Sequence, residues 1–325
     1  MPRYLAFASI SFDVDWDAYL MSEAALGLGA VGLVAVAFGY RKLRYHAYYR
    51  KLSTDLLVND IIPSSRFTND LMKVTRNVSQ TVLTHPPEHV SVKYEKTQTK
   101  RALVAFYREV SILKVLSHSC IPEYKGVIFT PYPAIVYEYV KGASLSEMRH
   151  RLDLRSGLLV LLQVAQCLSY LHARKICHRD VKSANVVVNM GQGDGFVGAH
   201  LIDFGSARMT LKGDQSLVGK VGTAGYMAPE ILRGLAHGVK TDIYSFGILM
   251  HEVVSKADPW ESCSQYEEED VTMGLRPDIP DTVPLRLARL IRACWAPKPD
   301  LRPDAKEVVT RLEKEFALFN IRDFA

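Results

Sequence analysis

The sequence has no CxxC pair, no low-complexity tract and, over a long N-terminal stretch, no glycine. Its five cysteines, Cys120, Cys167, Cys177, Cys263 and Cys294, are scattered and odd in number, which excludes a zinc ribbon and a disulfide framework. They read as reduced thiols, mostly in a core, in a cytosolic compartment. A strong charge of one sign is also lacking: the net charge is +5, and part of that excess is the single cluster Arg41, Lys42, Arg44, Arg50 and Lys51. Nucleic acid binding is therefore not needed to account for it. No glycine occurs between Gly39 and Gly126, so a phosphate-cradling loop in that stretch would have to be built without glycines. With 48% apolar and 23% charged residues over 325 positions, the chain has the composition of a folded protein with room for one large or two small domains.

From Ala24 to Tyr40 there is no charged residue, and the run is near the lower limit for crossing the hydrocarbon layer. Acidic residues (Asp13, Asp15, Asp17, Glu23) precede it and the basic cluster follows at once. The positive-inside tendency then places the C-terminal bulk in the cytosol and the N-terminus outside. Three other readings compete: a buried core helix, a cleaved signal peptide ending near Ala35-Val36-Ala37, and a nucleotide loop, since Gly27, Gly29 and Gly32 satisfy GxGxxG. This gives a short tail over 1–22, a candidate transmembrane helix over 23–40 and a basic juxtamembrane linker over 41–69, broken at Pro63-Ser64-Ser65.

From there strand and helix signals alternate. Thr81-Val82-Leu83, Val90-Ser91-Val92-Lys93 and Ala134-Ile135-Val136-Tyr137 read as strands. Leu103, Phe106, Val110 and Leu113 fall at helical spacing and predict an amphipathic helix over 101–116. Beyond Gly142 helical patterns dominate, beginning with Leu158 to His172. A small strand-rich part thus precedes a larger helical one.

Two segments carry the strongest chemical signal: His178-Arg179-Asp180-Val181-Lys182-Ser183-Ala184-Asn185, and Asp203-Phe204-Gly205. They offer a base beside an attacking hydroxyl and carboxylate and amide oxygens for metal ions, the groups phosphoryl transfer needs. They resemble the catalytic loop and magnesium motif of eukaryotic-type protein kinases. That resemblance implies Asp180 as the base, Lys182 on the γ-phosphate, and Asn185 and Asp203 as ligands of two magnesium ions. Val90 to Lys93 resembles the strand that carries the ATP lysine, and Glu109, in Phe106 to Leu113, its helical partner. Gly222 to Glu230 resembles the end of an activation segment, with Thr223 inside it. Asp242 opens a stretch similar to the family's central buried helix, and Arg302 sits where the family pairs an arginine with Glu230. Tyr137 falls at the gatekeeper position, with Glu138 and Val140 at the hinge facing adenine.

The implied fold is α+β, the two-lobed protein-kinase fold: a small antiparallel-sheet N-lobe with one helix (70–138) and a larger, mainly helical C-lobe (143–317), followed by a tail over 318–325. Lys182, Thr223 and the run Cys294 to Pro303 resemble serine/threonine kinases of the tyrosine-kinase-like or Mos-like branches, with ATP and Mg2+ as cofactors and protein hydroxyls as substrates. The glycine-rich loop departs from the family. Counted back from Val82, its three glycine positions fall on Thr75, Asn77 and Gln80. Two readings follow: an active enzyme with a weaker grip on nucleotide, or a pseudokinase scaffold. Ser216 and Thr210 are the candidate phosphosites, with Arg179 as the residue that would pair with a phosphate.

Overall fold

The computed structural model describes residues 60–322 apart from 69–71, 74–77, 85, 96, 98, 130–131, 192–195, 211–216 and 262–265. The expected transmembrane segment 23–40, and with it Thr75, Asn77, Ser216 and Cys263, lies outside the described residues. The strands are β1 (Met72–Lys73), β2 (Val78–Thr84), β3 (Pro87–Tyr94), β4 (Tyr124–Ile128), β5 (Ala134–Glu138), β6 (Ala143–Ser144), β7 (Ile176–Cys177), β8 (Val186–Met190), β9 (Phe196–Leu201) and β10 (Arg208–Met209). The helices are α1 (Lys100–Leu113), α2 (Leu145–Met148), α3 (Leu154–Ala173), α4 (Pro229–Leu232), α5 (Lys240–Ser255), α6 (Glu268–Met273), α7 (Leu285–Cys294) and α8 (Ala305–Arg322).

The N-lobe is one antiparallel sheet in the order β1-β2-β3-β5-β4, with α1 as its helix. Alternation decides which face is core: Leu83, Val90, Val92, Val136 and Ile128 cluster on one side, while Lys93 points to the other. α1 begins at Thr99, whose hydroxyl accepts from the Ala102 amide, the usual way an N-cap satisfies an orphan donor. The periodicity read from the sequence holds, since Leu103, Phe106, Val110 and Leu113 are all buried. Each such side chain contributes about 1.5–3 kcal/mol on full burial.

Two expectations are corrected here. Gln80, expected as the last glycine position of the loop, lies inside β2 opposite Ser91, and Val82, expected on a strand, lies deeper in it, opposite His89. The tight turn at Pro86 sets the register, which puts Val78 opposite Lys93. Counted back along the sequence from Val78, the three glycine positions fall on Leu71, Lys73 and Arg76, still without a glycine. The boundary also moves: the compact unit starts at Asp60, so residues 60–68, expected to be linker, are part of the small lobe. At the other end α8 continues to Arg322, past the expected limit of 317.

The C-lobe is arranged around α5, which is buried from Thr241 to Val253. α3 packs on it so closely that a Cβ at Gly157 would meet Val253 at 2.9 Å. Among the described residues α3 alone has the length and apolarity of a membrane span, but Leu158, Leu161, Val164, Leu168 and Leu171 bury it in this core. The four described cysteines, Cys120, Cys167, Cys177 and Cys294, are free and buried, as expected. Glu230 and Arg302 meet as a bidentate buried pair at 2.6 and 2.8 Å. The guanidinium also donates to the carbonyls of Ala296 and Lys240, so both charges are fully solvated by protein. Removing one partner of such a pair strands the other. Arg302→Leu is expected to destabilise the C-lobe by about 3–5 kcal/mol, read as a shift in the urea midpoint at unchanged slope.

Candidate active site

The catalytic segment is held from below by a single carboxylate. Asp242, fully buried near the start of α5, accepts the backbone N–H groups of His178 and Arg179, each at 2.8 Å, and the ring of His172 at 2.9 Å. Arg179 has φ of 67°, a strained value for a residue with a Cβ. The hydrogen bond to Asp242 compensates for that strain. Burial alone would raise the Asp242 pKa, but the His172 and Arg179 bonds and the charge beside it hold it below the ordinary carboxylate value. His178 packs edge-on to Phe204, with ring centroids 5.0 Å apart, and its Nε2 meets the Ile202 carbonyl at 3.2 Å. The loop and the Asp203-Phe204-Gly205 segment are thereby joined.

Asp180 projects from this loop into a three-way contact. Its Oδ2 lies 2.9 Å from Lys182 Nζ and accepts from Asn185 Nδ2 at 2.9 Å. Its Oδ1 accepts from the Thr223 hydroxyl at 2.7 Å, and that hydroxyl in turn accepts from Lys182 at 2.6 Å. Three residues assigned to catalysis, metal binding or specificity from the sequence, Lys182, Asn185 and Thr223, therefore converge on one carboxylate.

A second cluster spans the two lobes. Lys93 Nζ stands 2.7 Å from Glu109 Oε1 and 2.7 Å from Asp203 Oδ1. Burial works against the charge on Lys93, but the two carboxylates outweigh it and hold the ammonium above its usual pKa. Burial raises Glu109, with Lys93 offsetting part of the effect; at Asp203 the lysine outweighs burial and the pKa falls. Asp203 adopts φ of 63° and its Oδ1 also accepts from the Gly205 amide at 3.3 Å. A Cβ at Gly205 would lie 3.3–3.4 Å from Asp203, Glu109 and Lys93, so the missing side chain leaves room for these three charges to meet.

These groups line a cavity of about 240 Å³ bounded by Val78 above, Ala184 and Ile202 below, and Tyr137 at the back. Burial pushes the Tyr137 hydroxyl up to about 12, so it stays neutral and the gatekeeper is a bulky wall. Glu138 and Val140 are half-buried where the chain crosses between lobes and are not among the cavity walls. The Glu138 amide is bonded to the Glu123 carbonyl. The donors available to a metal are hard oxygens, Asp203 and Asn185. A magnesium ion, which keeps water and phosphate ligands and needs few from protein, suits that set. Among the described residues no group of three His, Cys, Asp or Glu is placed to hold a metal by itself.

Thr210 is corrected as a candidate phosphosite. It is buried, its hydroxyl donates to the Lys175 carbonyl at 3.2 Å and its amide donates to the same oxygen at 2.8 Å. A hydroxyl so placed pins the end of β10 and is not reachable by a modifying enzyme. Sequence reasoning missed a network beneath the site: Glu252 of α5 accepts from Ser183 at 2.6 Å and from the Tyr226 hydroxyl. Its sequence signal was a glutamate, next to His251, in a helical stretch otherwise apolar from Ile248 to Val254. It also missed Val78, which the Pro86-Pro87 turn marker could have located.

The comparisons agree with this geometry. The model of the protein kinase domain matches residues 76–312. A protein of Acanthamoeba polyphaga mimivirus, named as a serine/threonine-protein kinase/receptor, is 34% identical over 229 residues, 68% of this chain and 14% of its own length. A dual specificity protein kinase of Dictyostelium discoideum is 31% identical over 230 residues, 69% of this chain and 17% of its own. A protein of Arabidopsis thaliana named as a serine/threonine-protein kinase is 34% identical over 225 residues, 66% of this chain and 21% of its own. In each case the similarity covers under a quarter of the relative. A match over most of the chain, together with two charge clusters built from the expected residues, leads to one conclusion: this chain belongs to the protein kinase family.

Proposed function

We propose that the chain transfers the γ-phosphate of ATP to serine or threonine hydroxyls of proteins. The observation that carries this reading is the arrangement around Asp180, whose carboxylate already accepts from one threonine hydroxyl, that of Thr223, with Lys182 alongside. In the reaction, Asp180 would take the proton of the substrate hydroxyl as it attacks, and Lys182 would offset negative charge on the transferred group. Lys93, oriented by Glu109, would hold the α- and β-phosphates. Asn185 and Asp203 would hold magnesium, which supplies charge neutralisation at the phosphates when bound. Glu138 and Val140 are the proposed main-chain contacts for adenine. Thr223 and Lys182 favour serine and threonine over tyrosine, and the tail through Arg302 favours the tyrosine-kinase-like or Mos-like branch.

The second reading, a pseudokinase scaffold, rests on the loop ahead of Val78, which has no glycine at any of its three characteristic positions. Backbone amides close over phosphates less readily when side chains crowd them. The complete set Lys93, Glu109, Asp180, Asn185 and Asp203 favours activity. Incubated with Mg-ATP and a generic basic protein, the full chain is expected to transfer phosphate, and Asp203→Ala to abolish transfer. No transfer and no Mg-ATP binding by either protein would make the scaffold the better reading.

Regulation by phosphorylation is supported by a crowd of like charges. Burial, with Arg179 and Arg108 nearby, lowers the Arg208 pKa to about 10, so among the described residues like charges bear on Arg208. A phosphate on Ser216 would provide a counter-charge. Ser216→Ala is expected to lower turnover, and unchanged turnover in that variant would remove the idea. The segment 23–40, uncharged from Ala24 to Tyr40 and followed by a basic flank, favours a single-pass anchor, kinase domain in the cytosol and N-terminus outside. The full chain is expected in the membrane fraction of a cell lysate and resistant to carbonate extraction; recovery as soluble protein would exclude the anchor.

A further inference from the structure

Residues 60–68 precede the matched family region, 76–312, yet they are built into the small lobe at both ends. Ile61 pairs in parallel with Val127, and the Ile62 amide donates to the Val127 carbonyl at 2.9 Å. The Ile62 side chain is buried with Leu83, Val90 and Val136. At the other end Phe67 pairs with Leu83, and the Thr68 amide donates to the Val82 carbonyl at 3.0 Å. β4 is shaped to receive this segment. Gly126 has φ of +153°, and a Cβ there would come within 2.4 Å of the Asp60 carbonyl oxygen and 2.8 Å of Ile62.

Asp60 then ties two further elements together. Its carboxylate pairs with Lys114, the C-cap of α1, and accepts from the Tyr124 hydroxyl at 3.4 Å, at the start of β4. A carboxylate near a helix C-terminus is unfavourable to the helix dipole by itself, so the contact depends on Lys114 being there. Lys114 follows Glu109 by less than one and a half helical turns. The end of the helix that Asp60 holds is therefore the end that aims Glu109 at Lys93.

We propose that Asp60 is a positioning residue for α1, and that residues 60–68 form a strap keeping the helix in the orientation where Glu109 reaches Lys93. Asp60 touches neither nucleotide nor substrate. Its effect on turnover rests on the phosphotransferase reading above, while its effect on α1 does not.

The test uses the full chain with Asp60→Lys, Lys114→Asp and the two combined. Two quantities are measured: hydrogen exchange of the α1 amides, and phosphoryl transfer to a generic basic protein. Each single change is expected to speed α1 exchange about two- to fivefold, the range of a part-exposed ion pair, and to lower turnover by a similar factor. The combined charge swap is expected to restore at least half of each loss, which general destabilisation would not do. Should Asp60→Lys fail to fold, Asp60→Asn reads the same exchange. Wild-type exchange in the single variants, or no recovery in the swap, overturns the strap. Loss and recovery of α1 protection in a chain that never transfers phosphate upholds the strap and overturns the phosphotransferase reading instead.

Discussion

The site depends on a carboxylate that performs no chemistry. Asp242 is fully excluded from solvent, and a buried charge of that kind is tolerable only when saturated with donors. The donors it takes are the backbone amides of His178 and Arg179 and the ring of His172. Because the central helix α5 is itself packed on nearly every side, the carboxylate cannot drift, and the catalytic loop inherits that immobility. The left-handed Arg179 is the visible sign of the constraint: a backbone strain of about 1–3 kcal/mol persists only where surrounding contacts over-determine it. Asp180 is the next residue, so its direction is set by a bond made on the opposite side of the chain.

The second dependency runs between lobes. Lys93 comes from a strand, Glu109 from a helix and Asp203 from the segment after β9, and their only common property is opposite charge at 2.7 Å. Pairs this close in a partly dry cleft are mutually reinforcing: the lysine lowers Asp203, and the carboxylates keep the lysine protonated. Of the elements that carry these groups, β3 is paired on both sides within the sheet, whereas α1 lies outside that pairing. The strap at Asp60 bears on α1. Beneath the segment from Gly222 to Glu230, the buried Glu252 bonds Ser183 and Tyr226, so the loop from His178 to Asn185 and that segment share one support.

Most of the site was legible because its residues are close in sequence or forced by chemistry. Asp180, Lys182 and Asn185 occupy one short segment whose joint pattern resembles a family motif, which is what made them legible. The helix carrying Glu109 was legible because its apolar stripe has the helical period. Val78 was missed for a local reason: a strand of alternating residues looks the same when slid by two or four positions, so Val82 satisfied the pattern as well as Val78 did. Only the pairing across the Pro86 turn distinguishes them. Thr210 was misread because exposure of a hydroxyl depends on β10 meeting the turn at Lys175, a contact with no local signature.

The small lobe's beginning shows the same limit. Pro63-Ser64-Ser65 reads as linker by composition, and nothing nearby announces that Ile62 fills a gap beside Gly126 of β4. The sequence by itself determined the order of the elements, because local periodicity encodes it, and the family and the identity of the charged groups, because short motifs resemble those of that family. The tertiary structure alone decided which faces those groups share, which hydroxyls are shut away and that residue 60 belongs with residue 114, because these depend on pairings between distant segments whose energies arise only on packing.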